Sequence, residues 1–280
     1  MLQLRLFLVA LQFYSRLPVT GRLASWLGHD PNWLAPATRY FPVVGLLVAS
    51  LTAIVYAGCG LVLPHPVALM VAMTAGLMLT GAFHEDGLAD YCDAMGGHHE
   101  RTRLLEIMHD SRIGTYGAAG LIMMLMGRFQ ALAAVDPSWI GVLLVTAATM
   151  SRGCSVAIMV TLPYARTDAA AMAKPIAQNL SIEDAAIAVV LAITPVTLAA
   201  LWTGEIAVFA AAALGAVAMT AWMRRRIRLR LGGYTGDCLG AVQQLTELAF
   251  LVGALAVLAA GAESGVDSGA LEAPAADNIE

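Results

Sequence analysis

The sequence predicts an all-α, polytopic integral membrane protein, a helical bundle with about seven transmembrane helices. Of its 280 residues, 59% are hydrophobic and only 13% are charged, a composition far from that of an ordinary soluble domain. A membrane-spanning helix needs about 20 predominantly apolar residues. Stretches of this kind recur along the chain, roughly at 41–63, 65–84, 116–135, 138–161, 183–202, 204–223 and 239–261.

The two ends of the chain are predicted to differ from the bundle. The first residues, MLQLRLFLVALQFYSRLP, are expected to form an amphipathic or re-entrant helix at the cytoplasmic surface. Gln12 and Arg16 interrupt its apolar run, and no small-residue cleavage site follows, so a signal peptide is not expected. Residues 1–262 are predicted to form one membrane-embedded domain. Residues 263–280 are small, polar and acidic, which predicts a disordered tail.

The basic residues predict the orientation, because short cytoplasmic loops carry the excess of Lys and Arg. With the amino terminus inside, only Arg128 falls toward the outer side. The amino terminus is therefore expected in the cytoplasm and the carboxy terminus on the outer side. Three polar segments are expected together on the cytoplasmic side, and they are residues 84–117, 152–179 and 224–237.

The first of these segments, HEDGLADYCDAMGGHHERTRLLEIMHDSRIGTYG, carries charged groups that are costly beside a bilayer. Asp86, Asp90 and Asp93 are spaced i, i+4 and i+7, which places three carboxylates on one helical face. Such anions repel one another unless a cation lies between them, and carboxylates on a compact face suit Mg²⁺ bound to a substrate phosphate. The three aspartates are the predicted metal ligands. An acidic surface paired with nearby arginines is the alternative, and zinc is disfavoured because no suitable cysteine pair is present.

The end of the same segment, DSRIGTYG, has the composition of a phosphate-binding loop. Asp110, Ser111 and Arg112 precede two glycines. Arginine makes bidentate contacts with phosphate, and glycine exposes backbone N–H groups to an anion. A turn with an interfacial arginine explains the pattern equally well.

A second glycine-rich stretch, GGYTGDCLG, follows a run of five arginines. Glycines, a threonine and an acid at a helix entrance are typical of an anion-binding loop. Asp237 is a candidate metal ligand or general base. The residues predicted to bind substrate here are Gly233, Thr235 and Gly236, with Arg152 and Lys174 as further candidate phosphate contacts.

Three motifs resemble those of the cobalamin synthase family, the adenosylcobinamide-GDP ribazoletransferases. In chain order they are HEDGLADYCDAMGG, RLLEIMHDSRIGTYG and GGYTGDCLGAVQQLTE. FYSRLPV and RYFPVVGLLVA resemble the start of that family, so the resemblance covers nearly all of the chain except its tail. It implies a membrane transferase that joins adenosylcobinamide-GDP to α-ribazole, or to its 5′-phosphate, and releases GMP with Mg²⁺ as cofactor. The expected partners are these substrates and the lipid bilayer, not nucleic acid, with a homo-oligomer or other cobalamin-assembly enzymes as candidate associates.

The resemblance also implies roles for single residues. The metal would lie on Asp86, Asp90 and Asp93 of the first motif. The catalytic residues would be Asp93, Asp237 and Arg112. One of the carboxylates would accept the proton of the ribazole hydroxyl. Two positions depart from the family pattern, because Glu85 stands where an apolar residue is usual and His109 where Lys is frequent.

Two other functions fit part of the pattern. A CDP-alcohol phosphotransferase also uses an aspartate cluster that contains Asp-Gly, but this chain lacks the Ala-Arg after that element and the later paired aspartates. An ion-coupled transporter would carry acids within its spans. Beyond residue 116, only Glu247 and the boundary residue Glu205 fit that expectation.

Overall fold

A computed structural model describes residues 1–28, 30–97, 99–110, 112–166 and 180–270 of the protein. Within these residues the secondary structure is helical, apart from one isolated parallel bridge between Tyr164 and Tyr234. The α-helices are α1 (Leu2–Tyr14), α2 (Gly21–Leu27), α3 (Leu34–Ala37), α4 (Phe41–Gly60), α5 (His65–Thr80), α6 (Phe83–Gly97), α7 (Arg101–Ile107), α8 (Thr115–Ala133), α9 (Ile140–Thr161), α10 (Ile182–Thr203), α11 (Ile206–Leu231) and α12 (Gly236–Ala270). Short 3₁₀ turns lie at Pro31–Trp33, Thr38–Tyr40 and Pro137–Trp139.

Several of these helices are long and apolar enough to cross a membrane, which confirms the predicted class of a polytopic helical membrane protein. In the described part of the chain there are five such segments, or six if the bent pair α5 and α6 counts as one broken span. The sequence predicts about seven. The five are Leu34–Gly60, Pro137–Thr161, Ile182–Thr203, Ile206–Leu231 and Gly236–Gly261.

The predicted span 65–84 is broken near its end. Helix α5 stops at Thr80, and the next two residues, Gly81 and Ala82, both have positive φ angles of 68° and 57°. Helix α6 then begins at an angle of 87° to α5. A Cβ on Gly81 would lie 2.1 Å from Nε of Arg16, so the amino-terminal segment packs directly on this bend.

The predicted span 116–135 forms helix α8, which is not among the five qualifying segments. Arg128 and Gln130 reduce the hydropathy of this helix, and the Arg128 side chain is only 15% exposed. Two other boundaries also differ from the prediction. Helix α11 continues through the arginine run to Leu231, and α12 continues to Ala270, into the segment predicted to be disordered.

Helix α9 lies at the centre of the bundle. In the most apolar stretch of α9, 83% of the residues are buried inside the protein. In the other four qualifying segments the corresponding share is 28% to 33%. Those outer helices expose large apolar side chains such as Leu198, Trp202 and Leu214, as expected for surfaces in contact with lipid. Helix α1, of 13 residues, is too short to span and buries one side against the bundle, where Tyr14 stacks on Phe41.

Candidate active site

Two glycines bring helices α6 and α12 into close contact. A Cβ on Gly87 would lie 3.1 Å from both Cα and the carbonyl oxygen of Asp237. A Cβ on Gly240 would lie 3.0 Å from the carbonyl oxygen of His84. Because glycine has no Cβ, the two backbones can approach this closely. The contact sets the aspartates of α6 beside Asp237 in the first turn of α12.

An open cleft lies at this contact, and we call it the acidic cleft. Two carboxylates from different helices, Asp86 and Asp237, line it together. Nη2 of Arg166 lies 3.7 Å from Oδ2 of Asp237 and supplies a positive charge in the same cleft. The remaining lining residues are Phe13, Phe83, Gly87, Met108, His109, Tyr164 and Gly236.

The carboxylates around the cleft suit a hydrated Mg²⁺ better than an ion enclosed by protein ligands. Within the described residues, no group of three or more His, Cys, Asp or Glu side chains is arranged to hold a metal ion by itself. Asp90 nevertheless lies close enough to Asp237, Asp86 and Asp93 to be influenced by all three charges. Mg²⁺ is usually bound through one or two carboxylates, together with water and substrate phosphates. The donor chemistry of this cleft fits such an ion.

Asp93 has a structural role that the spacing of the aspartates does not reveal. The backbone N–H of Gly114 donates to its Oδ2 at 2.7 Å, and that of Gly117 donates to its Oδ1 at 2.8 Å. These N–H groups belong to the N-terminal end of α8, which has no internal acceptors for them. A Cβ at either glycine would lie within 2.5 Å of the carboxylate. Asp93 therefore caps α8 and ties it to α6.

The glycine-rich stretch forms the entrance to α12, as predicted. Thr235 is fully buried, and its Oγ1 accepts the backbone N–H of Cys238 at 3.2 Å, which caps the helix. The N–H of Tyr234 donates to the carbonyl of Pro163 at 2.9 Å, so it is not free to bind an anion. Burial raises the pKa of Tyr234 to about 12, which keeps its phenol neutral at physiological pH.

Gly233 and Gly236 have different surroundings within this loop. A Cβ on Gly233 would lie 2.3 Å from the carbonyl oxygen of Pro163, so this glycine serves the contact between two loops. A Cβ on Gly236 would meet nothing within 4 Å, and this residue lines the cleft. Of the two, Gly236 is the one placed to approach a ligand.

The three segments predicted to share one side of the membrane do meet in the structure. Arg101, at the start of α7, donates from Nε to the carbonyl of Leu231 at 2.7 Å. Its Nη2 donates to the carbonyl of Ala165 at 2.5 Å. Because Ala165 in turn donates its N–H to Tyr234 at 2.8 Å, one arginine joins all three segments beside the cleft.

Arg112 and Asp110 form a pair on the surface, outside the lining of the acidic cleft. The guanidinium of Arg112 donates twice to Asp110, from Nε at 3.0 Å and from Nη2 at 2.6 Å, and its side chain is 86% exposed. These hydrogen bonds lower the pKa of Asp110 to about 2. Ser111 lies outside the described residues, as does Lys174.

The prediction that Arg152 lies in a cytoplasmic loop is wrong. Arg152 lies within helix α9 and is only 4% exposed. Its Nη1 donates to the carbonyl of Ala148 at 2.9 Å, and its guanidinium packs over the ring of Phe41. Arg152 lies inside the predicted span 138–161, which forms helix α9 from Ile140 to Thr161, and this helix encloses the arginine.

The cleft contains residues that sequence reasoning did not assign to the site. Arg166 lies in the segment 152–179 that is predicted to be cytoplasmic, and no motif surrounds it. Its place in the predicted cytoplasmic loop before the glycine-rich stretch was the only available signal. Phe13 and Phe83 form one wall, with ring centroids 5.9 Å apart in an edge-to-face arrangement. That contact depends on how the amino-terminal helix packs on the bend between α5 and α6.

The fold and this cleft define a polytopic helical membrane protein with a carboxylate-lined cavity suited to phosphate chemistry. Residues 6–255 match the family model described as cobalamin-5-phosphate synthase, and the chain belongs to that family.

Curated relatives in three bacteria are named adenosylcobinamide-GDP ribazoletransferase. The protein of Leptothrix cholodnii is 45% identical over 257 residues, which cover 90% of this chain and 95% of the relative. A Polaromonas protein is 38% identical over 89% of this chain and 95% of its own length. The protein of Shewanella woodyi is 39% identical over 88% of this chain and 94% of its own length. No solved structure matches the chain.

Proposed function

We propose that this protein joins adenosylcobinamide-GDP to α-ribazole, or to its 5′-phosphate, and releases GMP. The family match and the names of the relatives confirm the family recognised in the sequence and support a transferase of cobalamin synthesis. The observation that carries the proposal is the acidic cleft, where carboxylates of α6 and α12 meet beside Arg166. A diphosphate substrate needs both a metal-binding anionic surface and a cation, and this cleft offers the two together.

We assign Mg²⁺ to Asp86 and Asp90, with Asp237 facing them across the contact between the helices. When bound, Mg²⁺ would neutralise charge on the diphosphate and on the departing GMP. Asp93 was also predicted as a ligand and as a catalytic residue. Each of its oxygens already accepts one backbone N–H, so a lone pair remains on each for a metal.

Asp237 is the proposed general base. A ribose hydroxyl of α-ribazole, one that is also free in the 5′-phosphate, attacks the phosphorus that carries the corrinoid, its proton passes to the carboxylate, and the bond from that phosphorus to GMP breaks. Thr235 donates to Oδ2 of Asp237 at 3.3 Å and fixes its orientation. Arg166 is placed to hold a phosphoryl oxygen. Arg112, the cation predicted from the sequence, is paired with Asp110. It must release Asp110 before it can hold a phosphoryl oxygen of the substrate.

We place the protein in the inner membrane with the cleft on the cytoplasmic side. The loops that surround the cleft carry the basic residues that favour this orientation, including Arg101, Arg103 and Arg166. The nucleotide substrates are expected on that side. The exposed apolar surfaces of the outer helices contact lipid, and association with another copy or with other cobalamin-assembly enzymes is part of the same proposal.

The purified protein in lipid nanodiscs should convert adenosylcobinamide-GDP and α-ribazole to adenosylcobalamin and GMP in equal amounts when Mg²⁺ is present. Chelation of the metal with EDTA should stop the reaction, and added Mg²⁺ should restore it. Chromatography of both products gives the measurement. A CDP-alcohol donor and an imposed ion gradient serve as controls for the two other functions. If the protein consumed either of them and formed no cobalamin, the result would contradict the proposal.

A further inference from the structure

A group of charged and amide side chains is buried next to the acidic cleft, and we call it the buried charge cluster. Its members come from four helices, and all except Arg128 are at most 5% exposed. They surround a cavity of about 50 Å³. Charged groups inside a membrane bundle are costly and are functional by default. The members of the cluster are Glu85, Arg128, Arg152, Gln243, Gln244 and Glu247.

Arg128 of α8 is the centre of this cluster. Its Nη2 lies 2.7 Å from Oε1 of Glu247, on α12, and its Nη1 lies 3.7 Å from Oε1 of Glu85, on α6. Gln244 of α12 donates from Nε2 to the same oxygen of Glu85 at 2.8 Å. One arginine thus pairs with a carboxylate on each of the two helices that form the acidic cleft.

The cluster is balanced in charge, and it links to the central helix. Arg152 of α9 supplies the second positive charge against the two glutamates. Gln243 donates to Ser151 of α9 at 3.2 Å and also to Glu247. Removal of one charge would leave a buried carboxylate without compensation, which is strongly destabilising.

The cluster and the cleft share the same stretches of chain. Glu85 directly precedes Asp86, and Gln244 lies about two helical turns beyond Asp237. A change in the distance between Glu85 and Gln244 must therefore change how the aspartates of α6 face α12. The pairing with Arg128 also explains why a glutamate stands at position 85, where the family pattern usually has an apolar residue. The carboxylate of Glu85 is a partner of Arg128.

We propose that Arg128 is a positioning residue for the acidic cleft. Its two ion pairs hold α6 against α12 and so keep Asp86 and Asp90 facing Asp237. This inference rests on the proposed function, because it assumes that these carboxylates bind the metal. Outer groups that orient metal ligands typically change metal affinity by about 10- to 100-fold when they are removed.

The test compares Arg128→Met with Arg39→Met in nanodiscs. Arg39 forms an ion pair with Asp184, and the exposed fractions of the two partners are 17% and 8%, close to the 15% and 6% of Arg128 and Glu247. That pair joins the Thr38–Tyr40 turn to α10, and neither partner belongs to α6 or α12. Both variants should unfold at a lower temperature than the wild type.

Only Arg128→Met should weaken Mn²⁺ binding, by about 10- to 100-fold in a titration followed by electron paramagnetic resonance. The Mg²⁺ concentration for half-maximal transferase activity should rise by the same factor. The double variant Arg128→Met with Glu247→Gln removes a pair of opposite charges and remains testable if the single variant does not fold. It should recover thermal stability and keep the weakened Mn²⁺ binding, because the link between the helices is still lost.

The outcomes separate this inference from the proposed function. Wild-type affinity for Mn²⁺ in both Arg128 variants, beside an active wild type, would overturn the positioning role alone. An equal loss of affinity in Arg39→Met would overturn it too, since the effect would then follow general stability. A wild-type protein that neither binds Mn²⁺ nor forms cobalamin would overturn both.

Discussion

Asp90→Asn should reduce transferase activity by more than about 100-fold, since even outer groups at metal sites cost 10- to 100-fold. The protein should still insert into the membrane and should be at least as thermally stable as the wild type without metal. Asp90 lies beside Asp237, Asp86 and Asp93, so a neutral amide relieves repulsion among four carboxylates. Mg²⁺ should raise the unfolding temperature of the wild type, because a ligand stabilises the state that binds it, and should do so much less in the variant.

Glu106→Gln is the matched control for this substitution. Glu106 lies in the same acidic segment, but it is exposed and pairs with Arg103 at 2.9 Å, away from the cleft. Its loss should leave turnover and the response to Mg²⁺ close to those of the wild type. Near-normal turnover by Asp90→Asn, or an equal loss in Glu106→Gln, would remove Asp90 from the proposed metal site.

Asp93→Ala should lower both stability and activity, in contrast to Asp90→Asn. The substitution leaves the N–H groups of Gly114 and Gly117 without their acceptor, and the loss of a helix cap costs about 0.5–2 kcal/mol. The end of α8 then loses its tie to α6, and the adjoining loop moves relative to the cleft. Asp93→Asn, which keeps one acceptor oxygen, should lie between the wild type and Asp93→Ala in thermal unfolding temperature.

Asp136→Ala provides the comparison for the cap alone. Asp136 accepts the backbone N–H of Ser138 at 2.9 Å and so caps the turn before α9, at a distance from the cleft. The Asp136→Ala variant should lose about as much stability as Asp93→Ala, while its turnover per folded molecule stays normal. If Asp93→Ala were as stable as the wild type but inactive, its carboxylate would act only in the chemistry and not as the cap described here.

The aspartates and the glycine-rich stretch of the cleft could be predicted from the sequence, because each pattern lies within a single helix or at its start. The i, i+4 spacing of Asp86 and Asp90 puts both on the side of α6 that faces α12, and the glycine-rich stretch begins α12 as expected. The same rule could not show that Asp93 would be engaged by α8. That contact depends on two glycines more than 20 residues further along the chain.

The arginines show where sequence reasoning stops. Near a bilayer, an arginine either reaches the interface or pairs inside the bundle, and its partner decides which. Arg128 was assigned to the outer side and Arg152 to a cytoplasmic loop. Both point instead into the cluster around Glu85 and Glu247, and these partners come from separate helices.

Two of the seven predicted spans are not among the five qualifying segments of the described residues, each for an identifiable reason. The stretch 65–84 is predominantly apolar, but Gly81 and Ala82 adopt positive φ angles that break the helix there. Hydropathy averages residues regardless of backbone conformation and cannot detect such a bend. In α8, Arg128 lowers the hydropathy of the helix. Its buried pairing with Glu247 makes this charge tolerable inside the bundle.

The position of Mn²⁺ in a crystal of the protein, located by its anomalous scattering, shows directly whether the acidic cleft binds the metal. The ion should lie about 2 Å from carboxylate oxygens of Asp86 and Asp90 and next to Asp237, with water completing its shell. A substrate diphosphate, when added, should replace some of that water. An ion bound elsewhere in the acidic segment, with none in the cleft at saturating Mn²⁺, would contradict the assignment of the metal to these aspartates.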